Sequence, residues 1–491
     1  MTDTATRLDI PAARDAAPWV AGRSLPIGEP TELLDPYRGD VAARVATSGP
    51  EEDRAAVDAA VAAQCEVAAL PAYRRAAILR RAAEIIESSP ERYAASITRQ
   101  TGKALKNTLR EVRRSGSTFR AAATAIETLE GRVLANDAAP EGDGLLTLTI
   151  REPVGVIGAV TPSNAPFNLV AHKVAPAFAA GNAIIVKPAS QAPLAALDLA
   201  AIMEEAGAPP GAVNVLPGNR HTVAALAADE RVAMFTLTGG RPAGEALLRA
   251  AGMRRVMLEL GGNSPNIIHR DAPIEAAAAA CLAGGFSNTG QSCNSVQRII
   301  VHRAIVEEFT ERLTELVRGL VVGDPLDPAT DVGTLVDESS AIRIGEWITE
   351  ATGRGARALL GGTRRAAQID PAIVVDAPID SRLVCEEIFG PVVVIMPYDT
   401  VDEAIEQANA TPFGLQSAVF TGSLDVALRV ARGVRSGAVL VNRSSNFRLD
   451  HLPYGGVKSS GIGREGPSYA IEEMTEMKLV VVAASDPGAS T

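Results

Sequence analysis

Apolar and polar positions divide the chain into a helical first part and a longer part in which strands and helices alternate. From Glu51 to about Glu130, Ala, Leu, Ile and Val recur at three- and four-residue spacing between Arg and Glu, the period of helices with one buried face. A polar, Gly- and Pro-bearing break follows over Ala135–Gly144, and Leu145–Ile150 then alternates Leu and Thr like a half-exposed strand. Beyond it, Val154–Val160, Ala183–Val186, Ala212–Leu216 and Val232–Leu237 predict buried strands. Between and after them, Asn168–Ala180, Pro193–Ala206, a stretch near Val223 and one from Ala243 predict helices. This alternation implies an α/β fold, a parallel sheet covered by helices, with ligands at the carboxyl ends of its strands.

After Glu259 a second α/β segment begins. It predicts helices near Ala272–Ala283 and Ala304–Arg318, and strands at Arg298–Val301, Val392–Ile395 and Ala438–Val441. The tail Met477–Val482 reads as an apolar strand with no helix to follow, an edge that invites pairing, including with another subunit. At 491 residues the chain is long for one core, and roughly three domain-sized units is the prior.

The balance of 47 basic against 58 acidic residues argues against a nucleic-acid partner, while a basic pocket for a small anion remains compatible with it. Cys65, Cys281, Cys293 and Cys385 form neither a disulfide framework nor a zinc spacing, and the five histidines are dispersed, so no metal site is expected. Thiols without a framework imply a reducing compartment. The segment Met1–Pro11 lacks the apolar core of a secretory signal, and the longest apolar stretch, Ala276–Phe286, is short of the ~18 residues of a membrane span. The expectation is a cytoplasmic protein without a membrane partner.

Against that background a few residues carry chemistry. Cys293 lies in Phe286-Ser-Asn-Thr-Gly-Gln-Ser-Cys293-Asn294, a run of small and amide residues with room for a substrate and N–H groups for a developing anion. A thiol there is a candidate nucleophile; the alternative is a small core residue. Strand Val232–Leu237 runs into Thr238-Gly239-Gly240-Arg241-Pro242-Ala243-Gly244 and a helix, a turn that suits a phosphate or is only a tight loop. Lys187, at a strand end, sits where it can reach a ribose or phosphate, or solvent. Asn164, in a turn stiffened by Pro162 and Pro166, either donates to an oxyanion or closes the turn. Glu259, between leucines and ahead of Gly261-Gly262, becomes a general base if burial raises its pKa, or points into water.

Together these pieces resemble the aldehyde dehydrogenase superfamily over nearly the whole chain. The resemblance rests on the Asn164 turn, Lys187-Pro188-Ala189, Gly239 to Gly244, Glu259-Leu-Gly-Gly262 and Gly290-Gln-Ser-Cys293. Glu386-Glu387-Ile388-Phe389-Gly390-Pro391 and Pro453-Tyr-Gly-Gly-Val-Lys458 to Gly461 complete the series, in the family's order. It implies a Rossmann-like cofactor-binding domain (1–130 and 154–260), an α/β catalytic domain (261–465) and a small β oligomerisation element (131–153 and 466–491), in a homodimer or homotetramer. Cys293 is then the nucleophile, Asn164 an oxyanion donor and Glu259 the base that hydrolyses a thioester. Pro162, Lys187, Ser190, Gly239, Gly240, Gly244, Glu387 and Phe389 fall at cofactor positions, for NAD or NADP. Ser190 stands where NAD-preferring members often carry Glu, so a 2′-phosphate is not repelled. Gly240 and Arg241 replace hydroxyl residues in the phosphate turn, which makes Arg241 or Arg220 a candidate for added charge.

At the substrate end the stretch 446–454 and the run Asn168–Lys173 resemble the branch acting on lactaldehyde, glyceraldehyde 3-phosphate and phosphonoacetaldehyde. There Arg114, His172, Ser292 and Arg448 are expected to line the entrance. Two guanidinium groups at one tunnel imply an anionic ligand unless carboxylates claim them, Asp450 or Glu387 for Arg448 and Glu111 for Arg114. Ser292, where phosphate- or phosphonate-handling relatives can carry Arg, argues against a doubly charged substrate. A CoA-acylating enzyme is disfavoured by Glu259, and a non-catalytic relative by the presence of Cys293, Asn164 and Glu259 together.

Overall fold

A computed structural model describes residues 11–26 and 28–483. Two large sheets dominate. The eight-stranded sheet has at its centre five parallel strands, in spatial order Arg255–Glu259, Val232–Thr238, Val156–Val160, Ile184–Lys187 and Val213–Val215. The chain steps outward on one side of Val156–Val160 and then returns to the other side, which creates a switch point beside this strand. The carboxyl ends of Val156–Val160 and Val232–Thr238 therefore open a crevice onto the Pro162–Asn164 turn and Gly239–Gly240. One edge of this sheet is completed by Gly461–Ile462, from the stretch expected to belong to the catalytic domain.

The seven-stranded sheet runs Arg357–Leu360, Ala372–Val375, Val392–Tyr398, Val296–His302, Ser264–Ile268, Gln416–Phe420 and Ala438–Val441. All but the first strand are parallel. Ser264–Ile268 and Gln416–Phe420, both inner strands of this sheet, were not expected as strands. Their polar residues break the β-branched pattern, and tertiary partners satisfy them once buried: Asn266 Nδ2 donates to Ser445 Oγ at 2.9 Å.

The tail strand spans Thr475–Ala483 and pairs antiparallel with Leu145–Pro153 of its own chain. Its partner is thus intramolecular, although its outer edge stays unpaired. Helices Leu105–Glu127 and Pro166–Ala179 pack against each other through Phe119, Phe167 and Phe178, all fully buried, and form the wall on which the entrance to the site is built. No single helix among the described residues is long and apolar enough to cross a membrane.

Candidate active site

The loop carrying Cys293 is shaped by an unusual backbone. Asn288, Thr289 and Gly290 take consecutive left-handed conformations, φ 54°, 55° and 68°. Non-glycine residues hold such angles only where their surroundings over-determine them. Here the Asn288 amide donates to the carbonyls of Asn164 (3.0 Å) and Gln291 (2.8 Å). A Cβ at Gly290 would lie 2.0 Å from the Gly390 carbonyl oxygen, so only glycine fits. Gln291 Oε1 accepts from Val336 N–H at 3.0 Å.

This loop sets Cys293 on the wall between two cavities, and Asn164 is the other residue lining both. Asn164 Nδ2 donates to the Gln291 carbonyl at 3.1 Å, which occupies one of its two N–H groups. Burial pushes the Cys293 thiol up to about 12, opposed by a hydrogen bond with the Tyr454 hydroxyl and by the charge of Arg448.

The larger cavity, about 330 Å³, reaches from the crevice of the first sheet to Cys293 and is lined by Pro162, Gly239, Gly240, Glu259, Glu387 and Phe389 among others. Glu259 ends strand Arg255–Glu259, is 2% exposed, and neither carboxyl oxygen has a hydrogen-bond partner. Burial, reinforced by the negative charge of Glu465, raises its pKa well above the usual carboxyl range. Glu387 accepts from Gly262 N–H at 3.1 Å, and burial lifts its pKa to about 7. A Cβ at Gly261 would come within 2.3 Å of Glu387 Oε2, so the glycine pair after Glu259 makes room for the second carboxyl.

A Cβ at Gly239 or Gly240 would meet nothing closer than 3.5 Å or 3.8 Å. Packing does not demand glycine at either place; the openness suits a ligand backed onto the turn, and a dinucleotide fits it. Gly244 does not line the cavity. A Cβ there would lie 2.6 Å from Leu260, so Gly244 seats the helix Arg241–Ala251 against the strand end. Arg241 is turned to Glu245 at 2.7 Å on the surface, away from a phosphate role. Lys187 and Ser190 stand at the same sheet edge but outside the cavity beside Cys293; Ser190 Oγ donates to the Gly218 carbonyl at 3.4 Å.

The smaller cavity, about 140 Å³, is walled by polar groups: Asn107, Asn164, Asn168, Ser292, Asn294 and Asn446, with Arg114 and Arg448. Ser292 Oγ donates to Asn294 Oδ1 at 2.7 Å. Arg114 and Arg448 reach this wall already paired, with Asp450 (2.7 Å) and Glu465 (3.0 Å) respectively. His172 does not line the cavity. It is 1% exposed, behind the wall, between Asp450 (3.0 Å) and Arg448 (3.3 Å), and burial lowers its pKa.

Residues 19–480 match the aldehyde dehydrogenase family. The chain belongs to the aldehyde dehydrogenase family. It is 40% identical, over 94% of its length and 97% of the relative's, to a 3-sulfolactaldehyde dehydrogenase of Priestia aryabhattai. Aldehyde dehydrogenase 21 from Physcomitrella patens, solved with the reaction product succinate, superposes with a TM-score of 0.94 at 36% identity, over 97% of this chain and 100% of that one. The glyceraldehyde-3-phosphate dehydrogenase GapN of Methanocaldococcus jannaschii, complexed with NADP, gives 0.90 at 37% identity, over 93% and 100%. The protein is an NAD(P)-dependent oxidoreductase acting on an aldehyde group.

This aldehyde dehydrogenase also holds residues that the sequence did not single out. Asn107 and Arg110 share the cavity face of their helix with Glu111 and Arg114, and that three- and four-residue spacing was a legible signal. Lys103 is buried against Glu111 at 2.6 Å and donates to the Asn164 carbonyl at 3.1 Å, steadying that turn. Glu465 and Lys173, both 0% exposed, pair at 2.5 Å, and the Tyr454 hydroxyl lies 2.9 Å from Cys293 Sγ. No local pattern announces these last contacts.

Proposed function

We propose that this dehydrogenase oxidises a small hydroxylated or singly anionic aldehyde to the free acid by covalent chemistry at Cys293. The observation that carries the reading is the wall shared by the two cavities, formed by Cys293 and Asn164. An aldehyde in the polar cavity meets the sulfur from one side, and the open glycine turn serves a dinucleotide from the other.

In this reading the Cys293 thiolate adds to the aldehyde carbon, and the second N–H of the Asn164 amide, with the Cys293 N–H, meets the oxyanion. A nicotinamide bound in the larger cavity would supply the hydride acceptor for the carbon held on Cys293, whose oxidation leaves a thioester on the sulfur. Glu259, whose pKa burial raises well above the usual carboxyl range, acts as base once it has lost its proton, and then activates water against the thioester. Gly239, Gly240, Pro162, Glu387 and Phe389 would hold the dinucleotide, with Lys187 and Ser190 on the ribose side. Ser190 carries no charge to repel a 2′-phosphate, which supports use of NADP as well as NAD.

For the substrate, the amide and hydroxyl lining favours a polar chain over a fatty one. Arg110 is the lining cation without a carboxylate partner among the described residues, and supports one negative charge at the far end. The 3-sulfolactaldehyde relative and the succinate-bound neighbour are consistent with that chemistry. The exposed apolar residues Met477, Leu479 and Val481 beside an unpaired strand edge support a homodimer or homotetramer. Four free thiols support a reducing, cytoplasmic setting.

The test is a panel of neutral and anionic two- to four-carbon aldehydes with both cofactors, run with Cys293→Ala. The variant should bind cofactor and lose turnover; more than a few per cent of the wild-type rate would overturn the nucleophile.

A further inference from the structure

We infer that the Tyr454 hydroxyl donates a hydrogen bond to the Cys293 thiolate, and that Arg448, stacked on the tyrosine ring, is the positioning residue that holds this donor in place. The inference rests on the reading of Cys293 as the nucleophile. The geometry behind it has three parts. Tyr454 Oη lies 2.9 Å from Cys293 Sγ, with the tyrosine itself 4% exposed. The Arg448 guanidinium carbon sits 3.9 Å from the centre of the Tyr454 ring, an attractive face contact for a cation. The backbone carrying the ring is tied down as well: Tyr454 N–H donates to the Glu465 carbonyl at 2.9 Å, and Glu465 N–H returns the bond to the Tyr454 carbonyl at 2.7 Å.

Glu465 ties these parts together. One of its carboxyl oxygens accepts from Arg448 at 3.0 Å and the other from Lys173 at 2.5 Å. The guanidinium is thereby fixed over the ring by a group whose own backbone is bridged to the tyrosine. A cation over the ring draws electron density from the phenol and makes its O–H a stronger donor. Burial and the nearby sulfur raise the Tyr454 pKa well above the usual phenol value, so the phenol keeps its proton and acts only as a donor toward an ionised sulfur. Ionisation of Cys293 releases the thiol proton to water; Tyr454 neither gains nor loses one. A hydrogen bond to a charged partner in such a site favours the thiolate over the thiol.

The experiment follows alkylation of Cys293 by iodoacetamide as a function of pH, resolved by peptide mass spectrometry so that Cys65 and Cys385 do not contribute. In Tyr454→Phe the ring and its stacking remain and only the hydroxyl is lost. The labelling profile should move to higher pH by about one unit, with labelling at neutral pH slowed ~10-fold. Arg448→Lys keeps a cation for Glu465 and loses the flat stack, and should shift the profile the same way by less. Replacing tyrosine with 3-fluorotyrosine in the wild-type chain strengthens the donor and should move the profile down. Coincident profiles for wild type and Tyr454→Phe, or an unmoved profile with 3-fluorotyrosine, would overturn the inference. Full labelling of Cys293 with turnover retained would instead overturn the nucleophile on which it rests.

Discussion

Arg114 donates two hydrogen bonds to Asp450, at 2.7 and 3.1 Å, across 336 positions of sequence. Asp450 also receives His172 at 3.0 Å and Asn168 at 3.2 Å. Burial alone would raise this carboxyl, but the bonds from His172 and Arg114 outweigh it and hold Asp450 well below the usual range. The guanidinium expected to greet an anionic substrate is therefore already neutralised. Asp450→Asn should release Arg114, which stays 38% exposed and able to meet a ligand. The expected outcome is a several-fold gain in kcat/KM for anionic over neutral aldehydes, read by steady-state kinetics. An equal change for both classes would show that Arg114 does not face the substrate.

Glu259→Gln should leave acylation fast and deacylation slow, giving a pre-steady-state burst of reduced cofactor followed by a slow phase. In the wild type the slow step should accelerate with rising pH, because the raised pKa keeps Glu259 protonated and inactive as a base at lower pH. The same shift has a stability sign. The folded state holds this proton more tightly than the unfolded chain, so stability is lost as pH rises above the ordinary carboxyl value. The neutral glutamine does not ionise; its melting temperature should gain on that of the wild type as pH rises, and a constant difference would refute the buried acid.

Gly240→Val tests the open turn. Its nearest neighbour to an added Cβ is Pro242 at 3.8 Å, so the fold should tolerate the change with a melting temperature within a few degrees. The added methyls occupy the approach proposed for the dinucleotide, and the KM for cofactor should rise about tenfold, equivalent to ~1.4 kcal/mol. Unchanged cofactor affinity would move the site elsewhere.

Ser190→Glu adds a carboxylate at the edge proposed for the ribose. It should depress kcat/KM with NADP at least ~10-fold, as expected for a like charge placed beside a phosphate, while NAD is spared. Parallel loss with both cofactors would mean that residue 190 does not distinguish the 2′-phosphate.

Much of this architecture was readable one segment at a time. The alternation from Val154 to Ala251 returned four strands and their helices nearly in place, because buried parallel strands leave β-branched runs and covering helices leave their period. The resemblance of the motifs led to the right family for the same reason: the glycine turn, the Glu259 strand end and the Cys293 loop are each continuous in sequence. Central strands with polar residues, such as Ser264–Ile268, escaped because their polar groups are satisfied by distant partners.

By itself the sequence determined the α/β alternation, the family and the local shape of the turns, since these depend on spacing within a few residues. Tertiary structure alone decided which carboxylate claims which arginine: Asp450 for Arg114 and Glu465 for Arg448, where the sequence had offered Glu111 for Arg114 and Asp450 or Glu387 for Arg448. It also decided that His172 lies behind the wall and that Tyr454 meets Cys293 across 161 positions. Charge pairing and hydrogen bonding fall off within a few ångströms and ignore chain order, so no period or motif records them.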